Sequence, residues 1–502
     1  MGGPRSSHTF GGISDMKSNP RRVYFDITDL MEYGRYNSTL SGIQRVAVML
    51  INRIVNVHGA DALHLIAFHP VKKSIVTYAS TFFLGDFTYD QSLFCKQFGL
   101  VVESGGGFGR HDLEAYIRAK YGRGLKAQIH KNRLSLSNQL SNGTTFRRRG
   151  IVTLMETDTK GALEVITKQV EQPANLSPGD IVFVPGATWN FNVYLAFLAE
   201  AAARGVEVVQ FVHDLIPLVT PEHVVDDVPE QFTEWLETMS KTASRFVANS
   251  NATRSDLQRY FRAAGVPEKP CAVTRLAHEF AQSPRPKTTW RKPVFLKPEL
   301  ASDEQIHARV YNATRLPFVL CTGTIESRKN VWTLARVWLS IVDELKDASP
   351  RLVFAGKHGW LKEDFDDLMR STGNGGGFIR IVERPDDHEL EYMYKRCLFS
   401  VCVSYYEGWG LTIGEGLWNG RPVLASNTSS MPEVGGDLVD YADPNSFDDI
   451  RKKAMRLIVD EPYRSSRAEQ IRNAKLRRWS EVADDLWSVL SESEKPALSY
   501  AG

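Results

Sequence analysis

The sequence predicts an α/β protein of two domains, each a parallel sheet covered by helices on both faces. Three observations carry this expectation. A chain of 502 residues exceeds one ordinary hydrophobic core and suits two domains of roughly 200 to 250 residues. Short apolar runs alternate with helix-period stretches in both halves, the mark of βαβ units. Between the halves, residues 284–298 read P-R-P-K-T-T-W-R-K-P-V-F-L-K-P, a proline- and lysine-rich stretch suited to an exposed connection.

The elements follow in order. Residues 1–20, rich in Gly and Ser without periodicity, read as a flexible tail. Val23-Tyr24-Phe25-Asp26-Ile27 is a compact strand. After Ser41-Gly42, the apolar residues Ile43, Val46, Ala47, Leu50, Ile51 and Ile54 recur at helical spacing, giving strand, glycine loop, helix. Residues 181–185 and 206–212 repeat the strand signal, the latter behind an alanine-rich helix stopped by Gly205. The first domain is placed at 21–290. Beyond the connection, residues 318–321, 352–355, 378–382, 398–403 and 423–425 are strands separated by helical stretches, a second domain over 300–480. Residues 481–502 read as a terminal helix returning to the first domain, and a tail.

Composition narrows the function classes. With 42% hydrophobic and 24% charged residues the chain is a globular protein. A net charge of +2 argues against nucleic acid as partner. Five cysteines without C-x-x-C spacing read as buried thiols of a reducing compartment, and no apolar run suffices to span a bilayer, so a cytoplasmic protein is expected. One segment departs from this balance. Residues 109–150 carry ten Arg or Lys, including Arg147-Arg148-Arg149, against only Asp112 and Glu114. Either a solvated loop or peripheral docking at the inner membrane face, to anionic lipid or a phosphate-bearing acceptor, accounts for such an insert.

The chemistry concentrates in Y-Y-E-G-W-G-L-T-I-G-E-G, residues 405–416, at the end of a strand and the start of a helix. The spacing of Glu407 and Glu415 alone proves nothing. The glycines between them, however, let backbone approach a ligand closely, and the helix start presents unpaired N–H groups to oxygens. His213 and Asp214 follow directly on the strand ending at Val212, at the carboxyl edge where open α/β sheets bind ligands. Asn249, Ser250, Thr253 and Asp256 read as a strand-to-helix cap, and Glu433 as structural.

The stretch E-G-W-G-L-T-I-G-E-G-L-W-N-G-R-P-V-L-A-S-N-T-S-S-M-P-E-V-G-G-D resembles the signature of the retaining GT-B glycosyltransferases of the large E-x7-E family. C-T-G-T-I-E-S-R-K-N-V, F-A-G-K-H-G-W, F-V-H-D-L-I-P, V-A-N-S-N-A-T-R-S-D-L and S-G-I-Q-R-V agree in the right order. The resemblance implies two Rossmann-like domains whose parallel sheets face a central cleft. It implies that Arg328 and Lys329, behind the Gly323–Thr324 turn, hold a donor diphosphate, and that fixed cations there stabilise the departing charge. By the same resemblance Glu415 takes the donor ribose. Glu407, with Gly408, Trp409, Gly410, Leu411 and Thr412, holds the transferred sugar, and His213 contacts it. Gly42 lets the first domain approach the donor, with Gln44 and Arg45 as further candidate contacts. No metal and no cofactor are expected. The implied reaction moves a hexose, mannose first, from a GDP- or UDP-linked donor to a glycan or lipid-linked acceptor with retention, as in bacterial polysaccharide-assembly members. Two alternatives stay open at this stage: a sugar-nucleotide epimerase of the same architecture, and a non-catalytic nucleotide-sugar-binding subunit.

Overall fold

A computed structural model describes residues 21–100, 133, 172–280 and 306–491. The tail, the basic insert, the 284–298 connection and residues 492–502 fall wholly or almost wholly outside these. The first sheet has eight strands: β1 (Val23–Asp26), β2 (Leu63–His69), β3 (Ser74–Ala79), β4 (Gln172–Pro173), β5 (Ile181–Val184), β6 (Glu207–Val212), β7 (Arg245–Ala248) and β8 (Cys271–Val273). Their spatial order is β4-β3-β2-β1-β5-β6-β7-β8. The expectation of a wholly parallel sheet needs correction at one edge. β3 runs antiparallel to β2, and β4 antiparallel to β3. Only four residues, 70–73, separate the end of β2 from the start of β3, too few for a crossover helix, so the chain can only turn back.

The named helices of this half are α1 (Thr28–Tyr36), α2 (Gly42–His58), α3 (Gln91–Gln97), α4 (Asn192–Ala203), α5 (Val228–Thr242) and α6 (Asn251–Ala264). Alternation along the strands feeds two cores. Phe25, Leu65, Phe183 and Phe211 meet Leu50, Ile51 and Ile54 of α2 on one face. Tyr24, Ile66, Val182 and Val208 meet Leu198 of α4 and Trp235 of α5 on the other.

The second sheet is parallel throughout, in the order β11-β10-β9-β12-β13-β14. It comprises β9 (Phe318–Thr322), β10 (Arg351–Gly356), β11 (Ile379–Glu383), β12 (Ser400–Cys402), β13 (Val423–Ser426) and β14 (Asp440–Ala442). Among the helices of this half are α7 (Val331–Leu345), α8 (Asp387–Arg396) and α9 (Leu411–Trp418). Leu334, Trp338 and Ile341 of α7 pack on Val319, Leu352 and Phe354. Met393 and Tyr394 of α8 pack on Leu320 and Val353.

The last helix, α10 (Trp479–Ser491), leaves this half and lies on α2 of the first. Trp479, Val482, Leu486 and Leu490 join the same core as Leu50 and Ile54, and the Trp487 ring stacks on His58 at 4.6 Å. Where the chain crosses back, His278 N–H donates to the Arg477 carbonyl at 2.9 Å and Arg477 N–H to His278 Nδ1 at 3.0 Å. Among the described residues no helix is long and apolar enough to cross a membrane.

Candidate active site

The carboxyl ends of both sheets border one cleft of about 670 Å³. On the second sheet, β9 ends in a turn at Gly323, whose φ of +118° an L side chain rarely adopts. The neighbouring strand end is tighter still, because a Cβ on Gly356 would lie 1.8 Å from the Gly323 carbonyl oxygen. The turn delivers Thr324 to the cleft and leads into a single 3-10 turn, Ser327–Lys329.

That turn buries two cations. Arg328 donates to the Tyr406 carbonyl at 2.6 Å and to Glu326 at 2.7 Å, and pairs with Glu407 at 3.2 Å. Lys329 Nζ donates to Glu407 Oε1 at 2.5 Å, and Ser404 Oγ donates to the same oxygen at 2.6 Å. Burial pushes the Glu407 carboxyl up, but Lys329 and Arg328 override it and hold it at about 2. Glu407 is therefore a fixed anion between two fixed cations, a contact the spacing alone does not disclose.

Beyond Glu407 the backbone is pressed against the first domain. A Cβ on Gly408 would sit 2.0 Å from the His213 carbonyl oxygen, so only glycine fits. Thr253 Oγ lies 3.3 Å from the Gly408 carbonyl and 3.4 Å from that of His213. Ser430 Oγ holds the Glu407 and Trp409 carbonyls, both at 2.8 Å. Gly410, at φ +99°, opens α9. Its first residue, Leu411, lies 3.7 Å from the position of a Cβ on Gly42, so the N-termini of α2 and α9 converge on the cleft. Both starts direct unpaired N–H groups and positive dipole ends there. Thr412 and Glu415 of α9 also line it. Glu415 accepts from the Tyr394 hydroxyl at 3.0 Å, and burial raises its pKa.

His213 lines the cleft with its ring committed: Nε2 lies 2.6 Å from the Pro185 carbonyl. Burial lowers its pKa to about 4, so at neutral pH the ring is uncharged and Nε2–H is the donor. Gln44 proves to be internal to the first domain. It donates to Asp29 at 2.6 Å and accepts from Ser41 Oγ. Arg45 instead crosses the cleft to Asp387 of α8. Of the proposed cap, Ser250 alone acts as one, accepting from Thr253 N–H at 3.0 Å. Asp256 reaches the other domain and accepts from the Tyr406 hydroxyl. Asn249 lines the cleft, and Glu433 accepts from the backbone N–H groups of Asn251 and Ala252 at 2.9 and 2.8 Å.

Lys357 and Arg384 were not singled out from sequence, yet both line the cleft at the ends of β10 and β11. Burial lowers the Lys357 ammonium to about 8, with Glu326 opposing. Lys357 does stand in the quoted F-A-G-K-H-G-W, directly after a strand, which is the signal that marks it. The assembled site can thus receive a strongly anionic group at Arg328, Lys329 and two helix N-termini, with neutral polar groups beside it.

Residues 302–477 match the family model described as glycosyl transferases group 1. Residues 302–477 are thus similar to a group 1 glycosyl transferase domain, and the chain has the GT-B fold. Residues 115–275 match a second model, glucosyltransferase 3-like, N-terminal domain. O-antigen chain mannosyltransferase B of Escherichia coli is 29% identical over 289 residues, 57% of this chain and 69% of that protein. Serotype-specific mannosyltransferase WbdA of Escherichia coli is 28% identical over 172 residues, 34% of this chain and only 21% of its own length. Among solved structures, HepE of Anabaena in complex with UDP and glucose covers 94% of this chain and 99% of its own, with a TM-score of 0.51 at 12% identity, a likeness of fold.

Proposed function

We propose that this glycosyltransferase moves a hexose from a nucleoside-diphosphate donor to a glycan or lipid-linked acceptor with retention and without a metal ion. The observation that carries the reading is the buried Arg328–Lys329 pair facing the converging N-termini of α2 and α9. Rupture of the bond between the anomeric carbon and the β-phosphate oxygen sends the electron pair onto the diphosphate. Cations fixed in a low-dielectric site stabilise that charge without reorganising. The acceptor hydroxyl oxygen bonds the anomeric carbon on the face the phosphate leaves, and its proton passes to a departing phosphate oxygen. Glu407 accompanies positive charge on the sugar, and Glu415 accepts from the ribose hydroxyls. Mannose from GDP-mannose is the first donor to test, because the relatives named above are mannosyltransferases; UDP-glucose is the second.

The test is thermal stabilisation by GDP and UDP, then transfer assays with the better donor class and anomeric analysis of the product by NMR, with and without chelator. Retained configuration and chelator-resistant turnover are expected, together with a loss of about a hundredfold or more when Arg328 and Lys329 are both replaced by Ala. Turnover that disappears on chelation, or that survives the double replacement, overturns the reading.

A further inference from the structure

Beyond β6 the first domain's chain passes through the short helix Ile216–Val219 to a single 3-10 turn, Pro221–His223. His223 is not among the residues lining the cleft, yet its ring reaches the second domain at two points. Nδ1 lies 3.0 Å from Ser327 Oγ, and the ring stacks on Tyr405 with centroids 5.0 Å apart and planes 7° from parallel. Trp360 Nε1–H donates to the His223 carbonyl at 3.2 Å, so the backbone is held from that domain as well. Both ring contacts fall on the segments that carry the buried charges. Ser327 opens the turn whose next two residues are Arg328 and Lys329, and Tyr405 stands two residues before Glu407. Tyr405 N–H joins the two segments by donating to the Arg328 carbonyl at 2.9 Å. A single 3-10 turn has poor hydrogen-bond geometry of its own, so outside contacts set its position. Burial lowers the His223 pKa, with Glu222 3.9 Å away opposing, so at neutral pH the ring adds no third cation beside Arg328. An uncharged imidazole and a hydroxyl pair in either tautomer, because each both donates and accepts.

We propose that His223 is a positioning residue: reaching over from the first domain, it holds the Ser327–Lys329 turn where Arg328 and Lys329 meet the departing diphosphate. Cations stabilise a leaving group to the extent that their place is fixed beforehand, and small displacements at such a site are costly. The inference rests on the donor reading above. It makes the leaving-group site a joint product of both domains, since the cations come from the second and their brace from the first.

The experiment measures dissociation constants of GDP, GMP, UDP and UMP, with melting temperatures, for wild type, His223→Ala, His223→Asn, Ser327→Ala and the double alanine variant. The free diphosphate carries the charge that the leaving group acquires, so its advantage over the monophosphate reports the placement of the cations. Expected is a loss of about fivefold or more in diphosphate affinity for each single alanine variant, with the monophosphate held within about twofold. His223→Asn, whose amide stands where Nδ1 stands, should bind the diphosphate about threefold more tightly than His223→Ala. The double variant should be no weaker than His223→Ala, because the hydroxyl has already lost its partner. A lowered melting temperature with diphosphate affinity at the wild-type value marks a merely structural contact and overturns the inference. Equal weakening of both nucleotides, or losses that add in the double variant, do the same while leaving the donor reading intact. Ser327→Ala alone decides by these criteria if His223→Ala does not fold. Wild-type protein that binds neither diphosphate more tightly than its monophosphate removes the donor reading itself, and the inference with it.

Discussion

At the scale of single residues the site is a balance of buried charge around Glu407. Two cations and one carboxylate sit in contact, and removing one member of such a group costs far more than surface ion pairs do. Replacing Glu407 by Gln should lower the folding stability of the unliganded protein by about 3 kcal/mol, since Arg328 keeps Glu326 but Lys329 loses its carboxylate partner. The same change should make GDP or UDP bind about tenfold more tightly, because the diphosphate no longer competes with a carboxylate for both cations. Calorimetric titration decides this, and an unaltered affinity would show that the diphosphate does not meet these cations. Much of this residue pattern was legible in sequence. Gly323, Arg328, Lys329, Glu407 and Glu415 do line one cleft, because glycines and a strand end mark where backbone bends toward a ligand. What could not be read is partner choice. Gln44 and Arg45 are adjacent in sequence, yet a helix turns neighbours about 100° apart, so one faces Asp29 and the other crosses to Asp387.

Between elements, the informative contact is a helix capped from the other domain. The first turn of α6 has its own Ser250 cap, but the N–H groups of Asn251 and Ala252 bond to Glu433, which follows β13. Replacing Glu433 by Ala leaves two helix-start donors and the Asn251 amide without their acceptor. The expected loss is about 2 kcal/mol by denaturant titration, with a lower kcat because Gly408 and His213 are held together by the same helix through Thr253. Stability within error of wild type would mean that water replaces the carboxylate at no cost. The strands with continuous apolar runs were legible. β2, β3, β4, β8 and β14 were not: β2, β3 and β14 mix polar residues into their runs, while β4 and β8 are only two and three residues long at the two edges of the first sheet. Glu433 was read as structural, but its reach to Asn251 and Ala252 of the other domain leaves no periodic trace in sequence.

For the whole molecule, α10 is a C-terminal element that completes an N-terminal core. Trp479 is 1% exposed, its indole N–H donates to the Glu279 carbonyl at 3.0 Å, and its ring lies at the head of the helix that covers α2. Trp479→Ala should destabilise by about 3 to 5 kcal/mol and separate one calorimetric transition into two, as the lobes lose their shared element. A single transition at the wild-type midpoint would show that α10 is dispensable.

The paired crossing at His278 and Arg477 has a mechanical consequence. Two lobes joined by a single strand can swivel like beads on a thread, whereas two strands bonded side by side behave as a doubled strap and suppress twist. Arg45 and Asp387 tie the two lobes a second time, across the cleft.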